Sequence, residues 1–262
     1  MTILERIAAT KRDEVAQRKA HKPLAVLRAS ATNAARDSRA AFERALRGSA
    51  PAVIAEFKRR SPSRGSIAGG MSLNDVIEQY AANGAAALSI LTDEPYFGGC
   101  DDDLRTARDR VALPLLRKDF TLDEYQIHEA AALGADAILL IVAMLDDAKL
   151  GALLKAAAQV GLAALVEVHD EAELERALAL GAAVIGVNNR DLRTFDVSLE
   201  TSVRLAPRIP AHCLKIAESG IHTRDEARRL VDCGYDALLV GEALLRDGAP
   251  GAALRALRGL ES

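Results

Sequence analysis

Short apolar runs alternate along this chain with longer stretches that repeat apolar residues every three or four positions. Four of the runs share a phrase: NGAAALSI (83–90), LGADAILLI (133–141), LGAAVIGV (180–187) and CGYDALLVG (233–241). Its glycines, Gly84, Gly134, Gly181 and Gly234, lie 50, 47 and 53 residues apart. Each closes a stretch of helical periodicity and opens a β-rich run. Glycine there accepts the left-handed backbone that ends a helix and that a side chain resists. Between these runs lie PAVIAEFK (51–58), LPLLRK (113–118), LAALVEV (162–168) and CLKIAES (213–219), which makes eight strand candidates spaced 25–27 residues apart on average. The intervening segments 73–83, 122–134, 147–161, 171–181 and 223–234 have helical periodicity, with Ser, Thr or Asp near their starts and acids in their first turns.

Eight βα units in 51–262 predict an α/β fold, a closed (β/α)8 TIM barrel occupying 49–262. An open doubly wound sheet is the alternative. It has fewer strands, and its nucleotide-binding form needs GxGxxG after the first strand, where this chain has FKRRSPSRG. Residues 1–48 form an N-terminal helical extension: Ile3, Ile7 and Val15 share one weakly apolar face, and 38–48 reads as a second short helix. The extension is either a cover over one barrel end or a movable part of an active-site mouth.

Five strand candidates stop at reactive polar clusters: AEFKRRSPS (55–63), LRKDF (116–120), LVEVH (165–169), GVNNRDL (186–192) and AESG (217–220). Catalytic groups of such barrels sit at the C-terminal ends of the strands, so this layout points to an enzyme.

Composition narrows the partners. With 262 residues, half of them hydrophobic, and a net charge of −3, the chain is globular and offers no basic surface for nucleic acid. Aromatics are 3% and Trp is absent, so Ala, Leu, Val and Ile must build the core. Three cysteines without metal-like spacing suit unpaired thiols in a reducing compartment. No signal or membrane-length run is present, so a cytoplasmic location is expected, with no membrane partner. The histidines have no metal-ligand spacing, and neither a metal nor another cofactor is expected.

Taken singly, the clusters leave choices open. Glu56 and Lys58, two apart, face the same side; they could be a structural ion pair or part of a site. Ser61 and Ser63, around Pro62, suit either an anion or a turn. Lys118 ends a core strand, where burial favours a neutral amine: an acid, a base, a Schiff-base nucleophile or a snorkelling lysine. Phe120 walls a pocket or caps the core. Glu167 lies between apolar neighbours, costly for an unpaired carboxylate, and so reads as functional. His169 shares its face and reads as an ordinary loop-edge histidine. Asn188 can bond a hydroxyl and Arg190 can clamp an anion; Asp191 reads as a turn residue. Ser219, Gly220 and Gly241 follow the last two strands, where such barrels hold phosphate. Together they indicate cofactor-free acid/base chemistry on a small phosphorylated substrate.

The ordered set AEFKRRSPSRG, SILTDEPYFGG (89–99), LLRKDF, LVEVH, GVNNRDLRTF, AESGI and VGEALL resembles the indole-3-glycerol-phosphate synthase family of tryptophan biosynthesis over most of the chain. That resemblance implies a carboxy-lyase that converts 1-(2-carboxyphenylamino)-1-deoxyribulose 5-phosphate into indole-3-glycerol phosphate, CO2 and water. It implies that Lys118 is the general acid, Glu167 its acid/base partner, and Lys58 a substrate-binding group that also donates a proton in dehydration. Glu56 and Asn188 would orient Lys118 and substrate hydroxyls, with Ser219 in support. Arg190, Gly220 and the Gly241–Glu242 turn would hold phosphate alongside Ser61. Glu242 would face the ligand with its backbone N–H alone. Phe97, Phe120 and Leu192 would line the pocket for the aromatic ring. The lysine and glutamate pKa values would have to move toward neutrality. A monomer is expected, with a weak oligomer as the alternative. The competing readings are another phosphosugar barrel, including a Schiff-base aldolase, and a metabolite-binding barrel without catalysis.

Overall fold

The computed structural model describes residues 2–30, 38–48, 51–61 and 65–260. The turn expected at Pro62 and Ser63 lies outside them.

Eight parallel strands close into a barrel: β1 (Ala52–Phe57), β2 (Ala87–Leu91), β3 (Leu115–Lys118), β4 (Ala137–Ile141), β5 (Ala163–Val168), β6 (Val184–Asn188), β7 (Leu214–Glu218) and β8 (Ala237–Val240). Each pairs with its sequence neighbours, and β1 pairs with both β2 and β8. The eight expected strands are all present, each shorter than its apolar phrase, although β2 and β6 run one residue past it, to Leu91 and Asn188. Gly84, Gly134, Gly181 and Gly234 all have left-handed φ, from +79° to +93°. These are the helix-to-strand corners that the repeated phrase marks.

Among the described residues three helices precede the barrel: α1 (Ile3–His21), α2 (Leu24–Ser30) and α3 (Ser38–Arg47). The connections carry α4 (Leu73–Ala82), the single turn α5 (Glu94–Phe97), α6 (Asp101–Arg110), α7 (Glu124–Ala132), α8 (Asp147–Gln159), α9 (Glu171–Ala179), α10 (Glu200–Leu205) and α11 (Arg224–Asp232). After β8 come the turn α12 (Glu242–Leu245) and α13 (Pro250–Arg258). Ser72, Asp146, Asp170 and Thr223 each cap a helix by accepting a backbone N–H from its first turn. No described helix is long and apolar enough to cross a membrane.

The period of two along each strand divides its side chains between two cores. Outward residues such as Val53, Leu88, Ile138, Val166 and Leu238 pack under the helices. Inward residues such as Ile54, Leu116, Leu139, Leu165, Ile216 and Leu239 fill the barrel. The N-terminal helices do not act as one cover. Phe42 and Leu46 of α3 join the inner core alongside Ala52 and Ala163, the first residues of β1 and β5, and plug the N-terminal end of the barrel. α1 crosses the opposite end.

Candidate active site

At the C-terminal end the inward alternation delivers polar groups instead of aliphatic ones. Ala52, Ile54, Glu56 and Lys58 are successive inward positions along the first strand; Leu165, Glu167 and His169 are those of the fifth. In register, Glu56 stands opposite Ser89, Leu91 opposite Lys118, Glu167 opposite Gly186, and Asn188 opposite Glu218. Scattered residues thus meet in one ring around a cavity of about 170 Å3. Glu56, Lys58, Ser61, Lys118, Glu167, Asn188, Arg190 and Ser219 line it, as do Phe97, Phe120, Leu192 and Glu242. Phe97 and Phe120 lie with ring centroids 6.0 Å apart and make an aromatic wall.

Gly220 and Gly241 do not line the cavity. A Cβ at Gly241 would come 2.9 Å from Glu56 Oε1, so this glycine leaves room for the carboxylate. Ser219 and Gly220 both have left-handed φ, +66° and +76°, which turns the chain sharply away from β7. Glycine meets that demand without strain; Ser219 does not, and strained non-glycine residues gather at functional sites.

Lys118 is the hub. Its ammonium donates to Glu218 Oε2 at 2.7 Å and to Glu167 Oε2 at 3.3 Å. Asn188 Nδ2 donates to Glu167 Oε1 at 3.1 Å, and Asn188 Oδ1 accepts the Arg190 backbone N–H at 3.0 Å. Asn188 therefore braces Glu167 and the start of the Arg190 loop, not Lys118 directly. Glu56 is bound separately, by Lys58 at 2.7 Å and Ser89 at 3.1 Å. Arg190 Nη1 donates to Phe195 O at 3.3 Å within its own loop. Asp191 accepts the backbone N–H groups of Arg193 and Thr194 and is the expected turn residue.

The expected downward pull on Lys118 is overruled. Burial does pull its pKa down, but Glu218, Glu167 and Glu56 outweigh it and raise the amine above its ordinary value. Lys118 is thus a fully charged donor. The same field divides the carboxylates. Burial disfavours the charge of Glu56, yet Lys58 and Lys118 hold it below the ordinary range. Glu167 is likewise penalised by burial but held low by Lys118, His169 and Asn188. Glu218 goes the other way: burial and the charges of Glu167 and Glu56 push it up to about 7 against the pull of Lys118.

Sequence reasoning missed two features and left a third open between a cover and a part of the mouth. Glu218 follows Ile216 at the inward spacing of two, the signal already used for Glu56, yet its neighbours Ser219 and Gly220 drew the attention. His169 is no ordinary loop-edge histidine: its Nε2 lies 3.2 Å from Glu167 Oε1. The third is α1. Its Ile3, Leu4 and Ile7 line the cavity together with the polar ring. Lys11, only 3% exposed, anchors the helix between Asp93 and Asp119, 3.0 Å from each. Ile3, Ile7, Lys11 and Val15 recur every fourth residue, so the stripe was visible; a lysine within it reads as solvated.

A family model described as indole-3-glycerol phosphate synthase matches residues 4–257. A curated protein of that name from Laribacter hongkongensis is 51% identical over 255 residues, spanning 96% of this chain and 97% of its own. Another of that name, from Polaromonas sp., is 49% identical over 261 residues, spanning 99% of each. Among solved structures, 3-hexulose-6-phosphate synthase from Salmonella typhimurium aligns with a TM-score of 0.65 at 11% identity, over 80% of this chain and 97% of that one. That likeness speaks to the barrel alone.

Proposed function

The chain belongs to the indole-3-glycerol phosphate synthase family, the carboxy-lyases of tryptophan biosynthesis, and from that premise we propose how its residues divide the reaction. The substrate is a phosphorylated small molecule, 1-(2-carboxyphenylamino)-1-deoxyribulose 5-phosphate.

Ring closure comes first. The aromatic carbon bearing the carboxylate attacks the ketone carbon of the ribulose chain, and the carbonyl oxygen gathers negative charge. The Lys118 ammonium donates its proton to that oxygen. Its raised pKa is no obstacle, because an alkoxide is a far stronger base than a lysine amine. The new C–C bond interrupts the aromatic ring. Loss of CO2 returns the bonding pair to the ring and restores it. In dehydration the hydroxyl leaves as water with a proton from Lys58, and Glu167, held anionic, takes the proton from the adjacent carbon. Glu218 stands against Lys118 with a pKa near neutrality and resupplies its proton between steps.

Glu56 orients Lys58, Asn188 orients Glu167, and Ser219 supports the ring of polar groups. Phe97, Phe120 and Leu192, with Ile3, Leu4 and Ile7 of α1, enclose the anthranilate ring. Ser61, Arg190 and the turns at Gly220 and Gly241–Glu242 receive the phosphate, Glu242 through its backbone N–H. The extension 1–48 and the barrel 49–262 form one functional unit. Large exposed apolar side chains among the described residues are few, Val26, Phe195, Val197 and Leu260, which supports a monomer; the three free thiols suit the cytoplasm.

The Lys118–Glu167–Glu218 cluster, buried at the mouth of the barrel, carries this reading. Indole fluorescence with the carboxyphenylamino substrate tests it. Lys118→Ala should lower kcat by about 10^3-fold while the circular dichroism spectrum is retained; near-normal kcat would remove Lys118 from the chemistry. Arg190→Ala should raise KM for the substrate by about tenfold or more, and an unchanged KM would exclude a phosphate contact.

A further inference from the structure

We propose that His169 is a positioning residue that decides which of the two carboxylates flanking Lys118 holds a proton, by pinning Glu167 as the anion. The inference rests on the reading above, in which Glu167 is the acid/base partner of Lys118.

His169 lies just beyond β5, two residues past Glu167 and on the same side of the strand. Its Nε2 is 3.2 Å from Glu167 Oε1 and its Nδ1 is 3.0 Å from Glu173 Oε2. The same Glu173 oxygen accepts the His169 backbone N–H at 2.8 Å. Glu173 belongs to the first turn of α9, whose start is fixed by Asp170 accepting the Glu173 N–H at 2.9 Å. One carboxylate thus grips both the backbone and the ring, and presents the opposite nitrogen to Glu167. The ring is 14% exposed. Nδ1 is hydrogen-bonded to Glu173, while Nε2 faces Glu167 as an ion-pair contact without hydrogen-bond geometry; set between two carboxylates, the imidazole is favoured as the cation. Glu167 and Glu173 are the charged groups that face it among the described residues. Burial works against the charge, but these two acids outweigh it and raise the ring to about 10.

The cation stands on one side of the site only. Glu167 is met by Lys118, Asn188 and His169; Glu218 is met by Lys118, and its buried Oε1 has no hydrogen-bond partner among the described residues. Two carboxylates around a single ammonium do not both ionise freely. The shared proton therefore goes to Glu218, beside the Lys118 amine that must be recharged. Glu167 stays able to accept a proton from carbon. If His169 only filled space at a loop edge, the size-matched His169→Asn change would alter stability and leave the proton arrangement alone.

The test compares kcat against pH for the full-length enzyme and its His169→Asn, Glu173→Gln and doubly substituted forms. His169→Asn should move the acid limb up by about one pH unit and so lower kcat about tenfold on that limb, with kcat on the neutral plateau and KM within about twofold. Glu173→Gln should move the limb the same way by less. The double variant should be no worse than His169→Asn, because both changes act through one ring. An unchanged profile in His169→Asn overturns the proposal. NMR titration of the unsubstituted enzyme is independent of how the variants fold: the His169 ring should stay protonated through pH ~8, and a midpoint near the ordinary ~6.5 overturns the proposal. Glu167→Gln separates the two layers. Normal kcat in that variant defeats the underlying role of Glu167. An inactive Glu167→Gln beside an unaltered His169→Asn profile defeats the role of His169 alone.

Discussion

Lys118 ends a four-residue strand whose other inward side chain, Leu116, is fully buried. Burial by itself argues for a neutral amine at such a place, and the sequence carries that argument as far as it goes. The outcome depends on three carboxylates that arrive from β1, β5 and β7, and no window around residue 118 contains them. Together their Coulomb attraction over a few ångströms in a weakly screened site exceeds the cost of burying the charge. The same dependence on neighbours makes Gly186 a sensitive position. A Cβ there would collide with Glu218 Oε1 and come 2.9 Å from Leu165 Cδ1. The nearer atom is the end of a flexible side chain, so the barrel should tolerate Gly186→Ala while Glu218 is displaced from Lys118. We expect kcat to fall about tenfold or more with the unfolding midpoint changed little; steady-state kinetics beside a urea titration checks this. His169 has a thermodynamic signature too. Its folded pKa is raised to about 10, so its stabilising effect is fully present below the unfolded value of ~6.5 and is lost as pH rises through about 10. His169→Asn should remove that alkaline slope from the unfolding free energy.

α1 shows how an element can read as peripheral and yet belong to the site. Its apolar face is narrow, with Ile7, Ala8 and Val15 buried. Ion pairs add to the docking. Lys11 pairs with Asp93 and Asp119, and Arg18 with Asp101 and Glu129, at 2.7 and 2.8 Å. Arg117, the outward neighbour of Lys118, joins the same network through Asp101 and Glu129. Removing one partner of a buried pair strands the others, so Lys11→Met should destabilise the protein by ~3–5 kcal/mol. It should also raise KM, because Ile3, Leu4 and Ile7 lose their anchor; urea unfolding and substrate saturation curves report the two effects. Asp119 supplies a pH test. Burial opposes its charge, but Lys11 and Arg117 hold it down to about 2. Its contribution is present above the ordinary carboxyl value of ~4 and is lost as pH falls through about 2. The acid-side slope of stability in that window should flatten in Lys11→Met.

Across the whole molecule the two ends of the barrel carry different burdens. The C-terminal end holds the charged ring; the N-terminal end is plugged by Phe42 and Leu46, which are 0% and 1% exposed. Phe42→Ala should therefore lower stability by ~3–5 kcal/mol and leave kcat near normal at temperatures where the protein is folded, as denaturant melts and initial rates would show. Much of this architecture was legible in the chain itself. The recurrent glycine corners, the period-two strands and the polar clusters at their ends are local signals, because backbone geometry acts over a few residues. They determine the eight-fold βα alternation and name Glu56, Lys58, Lys118, Glu167, Asn188 and Arg190 as candidates. Closure alone decided the rest: that Glu218 takes Lys118, that His169 braces Glu167, and that an N-terminal lysine anchors a wall of the cavity. Those contacts join residues far apart along the chain, and the charge each group carries is set by which others the closed barrel brings within a few ångströms.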